Sequence, residues 1–165
     1  MHIHIITTGG TIDKVYFDAK SEYQVGSPQV TEILGEAGVT FAYTLESVLR
    51  KDSLELTAAD RALIRERVAA APAPRVLVTH GTDTMVETAR ALLDVPGKTI
   101  VLTGSMQPAR FRNTDAAFNV GVAVGAVQCL PPGVYLAMNG RVLDPRRVRK
   151  NAARTAFEEV PEPAA

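Results

Sequence analysis

The sequence lacks the cysteine pairs of a disulfide scaffold and the long apolar runs of a membrane span. Its 165 residues include one cysteine and no tryptophan. A lone cysteine cannot form an internal disulfide, and nothing around Cys129 indicates a metal site, so we expect Cys129 to be buried as a small apolar side chain. No apolar stretch approaches the length of a membrane span. The chain opens without a basic region followed by a long apolar run, so we expect no signal peptide and a cytoplasmic location.

Net charge is also lacking, because 18 basic and 18 acidic residues cancel. This balance gives no indication of a nucleic-acid or membrane-surface partner. The arginine-rich stretch from Arg141 to Arg154 is the local exception, and we interpret it as a solvated or interface segment. The sequence has no nucleophile-elbow serine motif, no phosphate-binding P-loop and no dinucleotide fingerprint. His2 and His4 alternate with isoleucines, as in a strand, and lack the partners that a metal site needs.

Apolar runs of strand length alternate with helical patterns along the whole chain. This alternation predicts an α/β fold, with a doubly wound, mainly parallel sheet flanked by helices in a single domain over residues 1–160 and a frayed tail at 161–165. Between Asp13 and Pro28 we expect a lid without secondary structure of its own. We predict strands at Ile3–Thr7, Val39–Ser47, Arg75–Thr79, Lys98–Leu102 and Val134–Met138, and helices at Gln29–Ala37, from Thr57 to about Ala70, at Thr84–Leu93 and at Asp115–Cys129.

Three predicted strands end in a glycine followed by a hydroxyl residue. The pairs are Gly10–Thr11, Gly81–Thr82 and Gly104–Ser105. In open α/β sheets ligands bind outside the carboxyl ends of the strands, so convergence of these three ends predicts a pocket. Thr82 and the adjacent Asp83 also suit a simple structural role, as caps of the helix that follows.

A threonine hydroxyl is a poor nucleophile unless a neighbouring base takes its proton. Tyr23, in the expected lid, and Lys150 are the candidate activators. Backbone N–H groups at residues 10–11 and 81–82 could form an oxyanion hole. The residues by themselves therefore predict a threonine-based hydrolase that acts on a small polar substrate.

Two stretches, Thr8-Gly9-Gly10-Thr11-Ile12 and His80-Gly81-Thr82-Asp83-Thr84-Met85, resemble the two signature motifs of the bacterial-type L-asparaginase family. Weaker matches extend the resemblance to residues 23–26, 102–108 and 139–144, with Lys150 following. The resemblance implies attack on the side-chain amide of L-asparagine, loss of ammonia, and hydrolysis of an aspartyl-enzyme ester. It implies no metal and no organic cofactor.

The resemblance also assigns roles to individual residues. It makes Thr11 the nucleophile, with Tyr23 as the lid tyrosine that assists it. It groups Thr82, Asp83 and Lys150 as a second triad, in which Lys150 helps Thr82 to handle a proton or water.

The implied substrate contacts surround these catalytic groups. Asp83 would hold the α-ammonium group and Ser53 the α-carboxylate of the substrate. The full predicted binding set is Gly10, Ser53, Gly81, Thr82, Asp83 and Ser105.

Two departures from the family pattern shape our expectations. Typical members are about twice as long, and their second domain supplies an acidic residue to a neighbouring subunit's site. We therefore expect either a more open site or one completed by another copy in a dimer or tetramer. Leu54 stands where larger members usually carry a polar residue that helps to bind the amine, although Glu55 could replace it. Both departures predict weak substrate binding. The alternatives are a non-catalytic module that binds asparagine or aspartate, and an amidohydrolase for glutamine or a related amide.

Overall fold

The computed structural model describes residues 1–17 and 22–161. The last residues of the predicted tail, 162–165, lie outside the described residues. The strands of the main sheet are β1 (His2–Gly9), β4 (Ala42–Lys51), β5 (Arg75–Thr79), β6 (Thr99–Thr103), β7 (Gly133–Met138) and β8 (Arg141–Leu143). Two hairpins are formed by β2 (Lys14–Phe17) with β3 (Glu22–Val25) and by β9 (Val148–Asn151) with β10 (Ala156–Glu159). The helices are α1 (Val30–Glu36), α2 (Ala58–Ala70), α3 (Met85–Ala91) and α4 (Ala116–Cys129).

The main sheet confirms the predicted α/β architecture. Its strand order is β4-β1-β5-β6-β7-β8, and every neighbouring pair is parallel except β7 and β8. Side chains alternate across it: Val76 and Val78 pack with residues of α2 and α3, whereas Leu77 packs with residues of α1 and α4. Helices therefore cover both faces, and β1 and β5 are buried in the interior of the sheet.

Thr57 begins α2 as predicted. Its hydroxyl accepts the backbone N–H of Asp60 at 3.2 Å, and the Asp60 carboxylate accepts the backbone N–H of Thr57 at 2.9 Å. This reciprocal pair satisfies two backbone donors at the start of the helix.

The strand predicted at Val39–Ser47 lies a few residues further towards the C-terminus. It begins at Ala42 rather than Val39 and continues to Lys51, because its parallel pairing with β1 extends to the contact between Gly9 and Lys51. The strand therefore continues four residues beyond Ser47, its predicted end. A short 3₁₀ turn, Ser53–Glu55, follows directly.

The expectation of a lid without secondary structure was wrong for the part that the structure describes; residues 18–21 of the expected lid lie outside the described residues. A 3₁₀ turn over Thr11–Asp13 leads into the antiparallel hairpin of β2 and β3, in which Tyr16 lies opposite Tyr23. The rings of these two tyrosines meet edge to face with centroids 5.4 Å apart. Cross-strand aromatic pairs of this kind stabilise short hairpins. A single pair leaves no repeating apolar pattern in the sequence, so periodicity did not predict these two strands.

One smaller expectation and one alternative also fail. Cys129 is exposed, because it is the last residue of α4 and lies off the stripe of that helix formed by Val120, Ala123 and Val127, which faces the sheet. Thr82 and Asp83 do not cap α3, whose N-cap is Thr84 without a side-chain capping bond. In the described part of the chain no helix combines the length and apolarity needed to cross a membrane.

Candidate active site

The loops that follow β1, β4 and β5 touch one another through glycine backbones. Gly10 has a φ of 88°, and a Cβ there would collide with the Cα and N atoms of Gly81. A Cβ on Gly81 would in turn lie 2.6 Å from the Cβ and Oγ of Ser53. Only glycine allows this approach. The contact holds Thr11 and Thr82, the residues after the two glycines, on adjoining loops.

The chain leaves the sheet abruptly before Thr11. The pairing of β1 with β4 shifts register between Thr7 and Gly9, and Gly9 has a φ of 96°. The Gly10 N–H donates to the carbonyl of Lys51 at 3.0 Å, so it is not free to serve in an oxyanion hole. Thr11 is the first residue of the 3₁₀ turn and is partly exposed.

Lys150 joins Thr82 and Asp83 in a compact triad. Its Nζ donates to Thr82 Oγ1 at 2.8 Å and to Asp83 Oδ1 at 2.6 Å. Thr82 is buried, the Lys150 side chain is 17% exposed, and that of Asp83 is 43% exposed. The structure thus brings together the three side chains that the resemblance grouped.

The hairpin that carries Lys150 is fastened at several points. Phe157 pairs with Lys150 across β9 and β10, its side chain is buried in the core, and its N–H donates to Asn139 Oδ1 at 3.0 Å. Arg90, on α3, donates to the carbonyls of Pro145 at 2.9 Å and Val148 at 3.3 Å. Sequence reasoning missed Arg90 and assigned Asn139 no role of its own, since both act through long-range contacts.

Three arginines of the C-terminal stretch are paired with acidic side chains. Arg141 bonds Glu159 at 2.7 Å, and Arg149 and Arg154 lie 3.7 and 3.5 Å from Glu158. Their positive charge is therefore offset locally.

The two serines of the predicted binding set turn their hydroxyls inward. Ser53 is buried, and its Oγ has no hydrogen-bond partner among the described residues. The Ser53 carbonyl accepts the Thr84 hydroxyl at 2.7 Å. The buried Ser105 donates its hydroxyl to the carbonyl of Gln107. Contact between either serine and a substrate therefore requires a local rearrangement.

Tyr23 is not brought onto Thr11. Its side chain is half exposed and packs edge to face against Phe111, with ring centroids 5.8 Å apart, as well as against Tyr16. Among the residues that the structure describes, no hydrogen bond joins Tyr23 to Thr11. Phe111, in the loop after β6, was missed because an isolated phenylalanine in a polar loop has no pattern to mark it.

Three buried or paired ionisable groups surround the glycine contact. Burial lowers the pKa of His80 to about 4, and its Nδ1–H donates to the Gly81 carbonyl at 2.7 Å, so the ring is neutral at physiological pH. The hydrogen bond from Lys14 lowers the pKa of Asp52. Burial raises the pKa of Asp13 to about 6. Asp13, two residues after Thr11, was not identified from the sequence.

The site offers no evident metal centre. Within residues 1–17 and 22–161, no group of three or more histidine, cysteine and acidic side chains is suitably placed. A cavity of about 240 Å³ lies beside Asp83 and Lys150, and its lining includes Arg90 and Arg149. A larger cavity of about 440 Å³ lies away from the triad and is lined by residues such as Pro96 and Tyr135.

Comparison with known proteins identifies the family. The family described as "Asparaginase, N-terminal" matches residues 2–165. The chain belongs to the asparaginase family. A solved structure of the thermostable L-asparaginase from Thermococcus kodakarensis superposes with a TM-score of 0.83 at 27% identity, covering 99% of this chain and 52% of that one.

Two relatives extend the comparison of this asparaginase-family chain. Glutaminase-asparaginase of Acinetobacter glutaminasificans is 31% identical over 90% of this chain and 49% of its own length. L-asparaginase 2 of Escherichia coli is 33% identical over 90% of this chain and 46% of its own length. The chain thus spans about half the length of the relatives it matches.

Proposed function

We propose that this chain hydrolyses L-asparagine to L-aspartate and ammonia through Thr11 as nucleophile and an acyl-enzyme. The observation that carries the proposal is the contact of Lys150 with both Thr82 and Asp83, on a loop whose glycine touches the loop of Thr11. A helix cap would need neither the lysine nor the glycine contact. Membership of the asparaginase family supports amide hydrolysis as the reaction class.

The triad sets the direction of proton movement. A lysine ammonium donates and cannot accept a hydrogen bond, so Thr82 Oγ1 is the acceptor and its own hydrogen is directed elsewhere. The Thr82 O–H can therefore donate a hydrogen bond to a group bound between Thr82 and Thr11. In the proposed first step the Thr11 oxygen bonds to the amide carbon, its proton passes to the departing nitrogen, and ammonia leaves. Water then cleaves the aspartyl ester and restores Thr11.

The charges around the triad suit a small amino acid. One Asp83 oxygen is held by Lys150, while the exposed carboxylate retains capacity for the α-ammonium of a substrate. Ser53 would bind the α-carboxylate once its buried hydroxyl is uncovered. Leu54 is 72% exposed beside Ser53 and offers the amine no polar contact. We therefore expect a Michaelis constant on the order of millimolar.

The test is ammonia release from L-asparagine and, separately, L-glutamine over a wide substrate range. Wild type, Thr82→Val and the control Thr44→Val are compared; Thr44 is an exposed residue of β4. We expect release from asparagine by wild type and the control, and loss of release in Thr82→Val. Ammonia release only from glutamine would show that glutamine, and not asparagine, is the substrate. Thermal stabilisation by asparagine without ammonia release would instead show a binding module.

We also infer that the chain forms a homo-oligomer, a dimer or tetramer. Two large apolar side chains support this: Phe118 is 64% exposed on α4 and Val142 is 42% exposed on β8. Specific activity that falls as the protein is diluted through its assembly range would support an oligomeric active form. Constant activity per chain across a dilution series that yields monomers would contradict it.

A further inference from the structure

The base of the hairpin formed by β2 and β3 is closed by one residue, Asp13. Its backbone N–H donates to the Gly10 carbonyl at 3.1 Å, and its own carbonyl accepts the Gly26 N–H at 2.7 Å. Its carboxylate accepts the backbone N–H of Gln29 at 2.8 Å. Asp13 thus links the turn of Thr11, the returning strand of the hairpin, and the residue that begins α1.

Gln29 connects Asp13 to the loop after β6. It is buried, and its Oε1 accepts the Nε–H of Arg110 at 2.9 Å. Arg110 precedes Phe111, whose ring packs against Tyr23. The hairpin is therefore held at its base through Asp13 and along its strands through Phe111, and both anchors lead to the loop after β6.

We propose that Asp13 is a positioning residue that fixes the β2–β3 hairpin, which carries Tyr23, next to the turn of Thr11 through its bonds to Gln29 and Gly26. The proposal deepens the proposed function and rests on it for its catalytic consequence. Asp13 itself is 2% exposed and touches no substrate in this scheme.

Burial also makes this link sensitive to pH. Burial raises the pKa of the Asp13 carboxyl from 3.8 to about 6. An opening that exposes the carboxyl returns it to its ordinary value, so the closed hairpin is favoured most below about pH 4, and this advantage is lost as the pH rises towards 6. Between pH 5 and pH 7.5 we expect the opening equilibrium to increase about tenfold.

The other charged groups on the elements packed around Asp13 are Arg50 of β4, Arg110 of the loop after β6, Lys14 of β2 and Glu32 of α1. Asp52, bonded to Lys14, has a lowered pKa, and the buried His80 has a pKa of about 4.

Hydrogen exchange of the Gly26 amide tests the proposal without substrate. After correction for intrinsic rates, we expect wild type to exchange about tenfold faster at pH 7.5 than at pH 5. Asp13→Asn keeps an acceptor for Gln29 and cannot ionise, so its exchange should be slow and the same at both pH values. Asp13→Ala should exchange quickly at both. Asp94→Asn, which removes an exposed carboxylate bonded to Arg65, should keep the wild-type difference.

Kinetics with asparagine give a second measure. We expect Asp13→Ala to raise KM about tenfold, and Asp13→Asn to restore KM to near the wild-type value, because only the alanine variant loses the bond to Gln29. A wild-type pH difference that persists in Asp13→Asn would overturn the proposal, as would Gly26 exchange in Asp13→Ala equal to that of wild type. Absence of ammonia release by wild type would refute the proposed function, while the exchange experiment would still decide the role of Asp13 in the hairpin.

Discussion

The two threonines of the site stand in different surroundings. Thr82 is buried and already bonded to Lys150, whose hairpin is fastened to the core by Phe157 and to α3 by Arg90. Thr11 is partly exposed, begins a 3₁₀ turn, and leads into a hairpin whose Tyr23 packs against aromatic rings. One half of the site is therefore assembled before substrate arrives, whereas the other depends on where a surface hairpin rests. This difference predicts that damage to the first half lowers kcat, whereas changes that displace the hairpin of the second half and leave the Thr11 hydroxyl in place raise KM.

The largest effect is expected at Thr11, the proposed nucleophile. Thr11→Ala should lower kcat by about a thousandfold or more, because no other hydroxyl replaces the one that forms the ester. Ammonia release and thermal unfolding would be measured together, with Thr31→Ala, a partly exposed residue of α1, as the control. Normal turnover by a folded Thr11→Ala protein would show that Thr11 is not the nucleophile.

The next effect is expected from Lys150→Met, which removes the donor to Thr82 and Asp83. Loss of a positioned proton-transfer group lowers rates by about a hundredfold or more, and we expect this in kcat. Arg149→Met is the matched control, since Arg149 is the neighbouring residue of β9 and its side chain is 69% exposed. Equal kcat values for the two variants would argue that Lys150 is only structural.

A smaller effect on the same half is expected from Arg90→Met. The variant loses two bonds to the backbone that precedes Lys150, so kcat should fall about tenfold while KM changes little. Arg67→Met, which breaks an exposed ion pair with Glu46, provides the comparison. A change confined to KM would contradict the division of the site into two halves.

The smallest effect is expected from Phe111→Ala on the hairpin half. Removal of one edge-to-face contact should raise KM about fivefold and leave kcat nearly unchanged. Leu63→Ala, at an exposed apolar position of α2, controls for a general loss of surface packing. If Phe111→Ala lowers kcat as strongly as Arg90→Met does, the contrast between preassembled and hairpin-dependent halves is wrong.

The sequence was most informative where one short stretch determines both structure and chemistry. Apolar periodicity identified the core strands and their order along the chain, and the glycine–hydroxyl pairs marked the ends of β1, β5 and β6. The β2–β3 hairpin escaped this reasoning because its stability comes from Tyr16, Tyr23 and Phe111 meeting in space rather than from a repeating pattern.

Long-range hydrogen bonds account for most of what was missed in the site. Asp13 and Gln29 are 16 residues apart, and neither has a sequence neighbour that reveals the bond between them. Lys150 was assigned to the triad only through resemblance to the family, since spacing alone does not place β9 beside the end of β5. The buried hydroxyl of Ser53 likewise depends on the position of Gly81 and has no local signature.

The contact between Gly10 and Gly81 limits how this protein can be changed in the laboratory. A methyl group on Gly10 would collide with the backbone of Gly81, and one on Gly81 would collide with Ser53. A library that randomises residues 10 and 81 should therefore return glycine at both, even under relaxed selection. Leu54 imposes no such restriction, because its side chain projects into solvent beside the same loops. We therefore expect variants selected for a new amide substrate to change at exposed positions such as Leu54 and to keep Gly10 and Gly81.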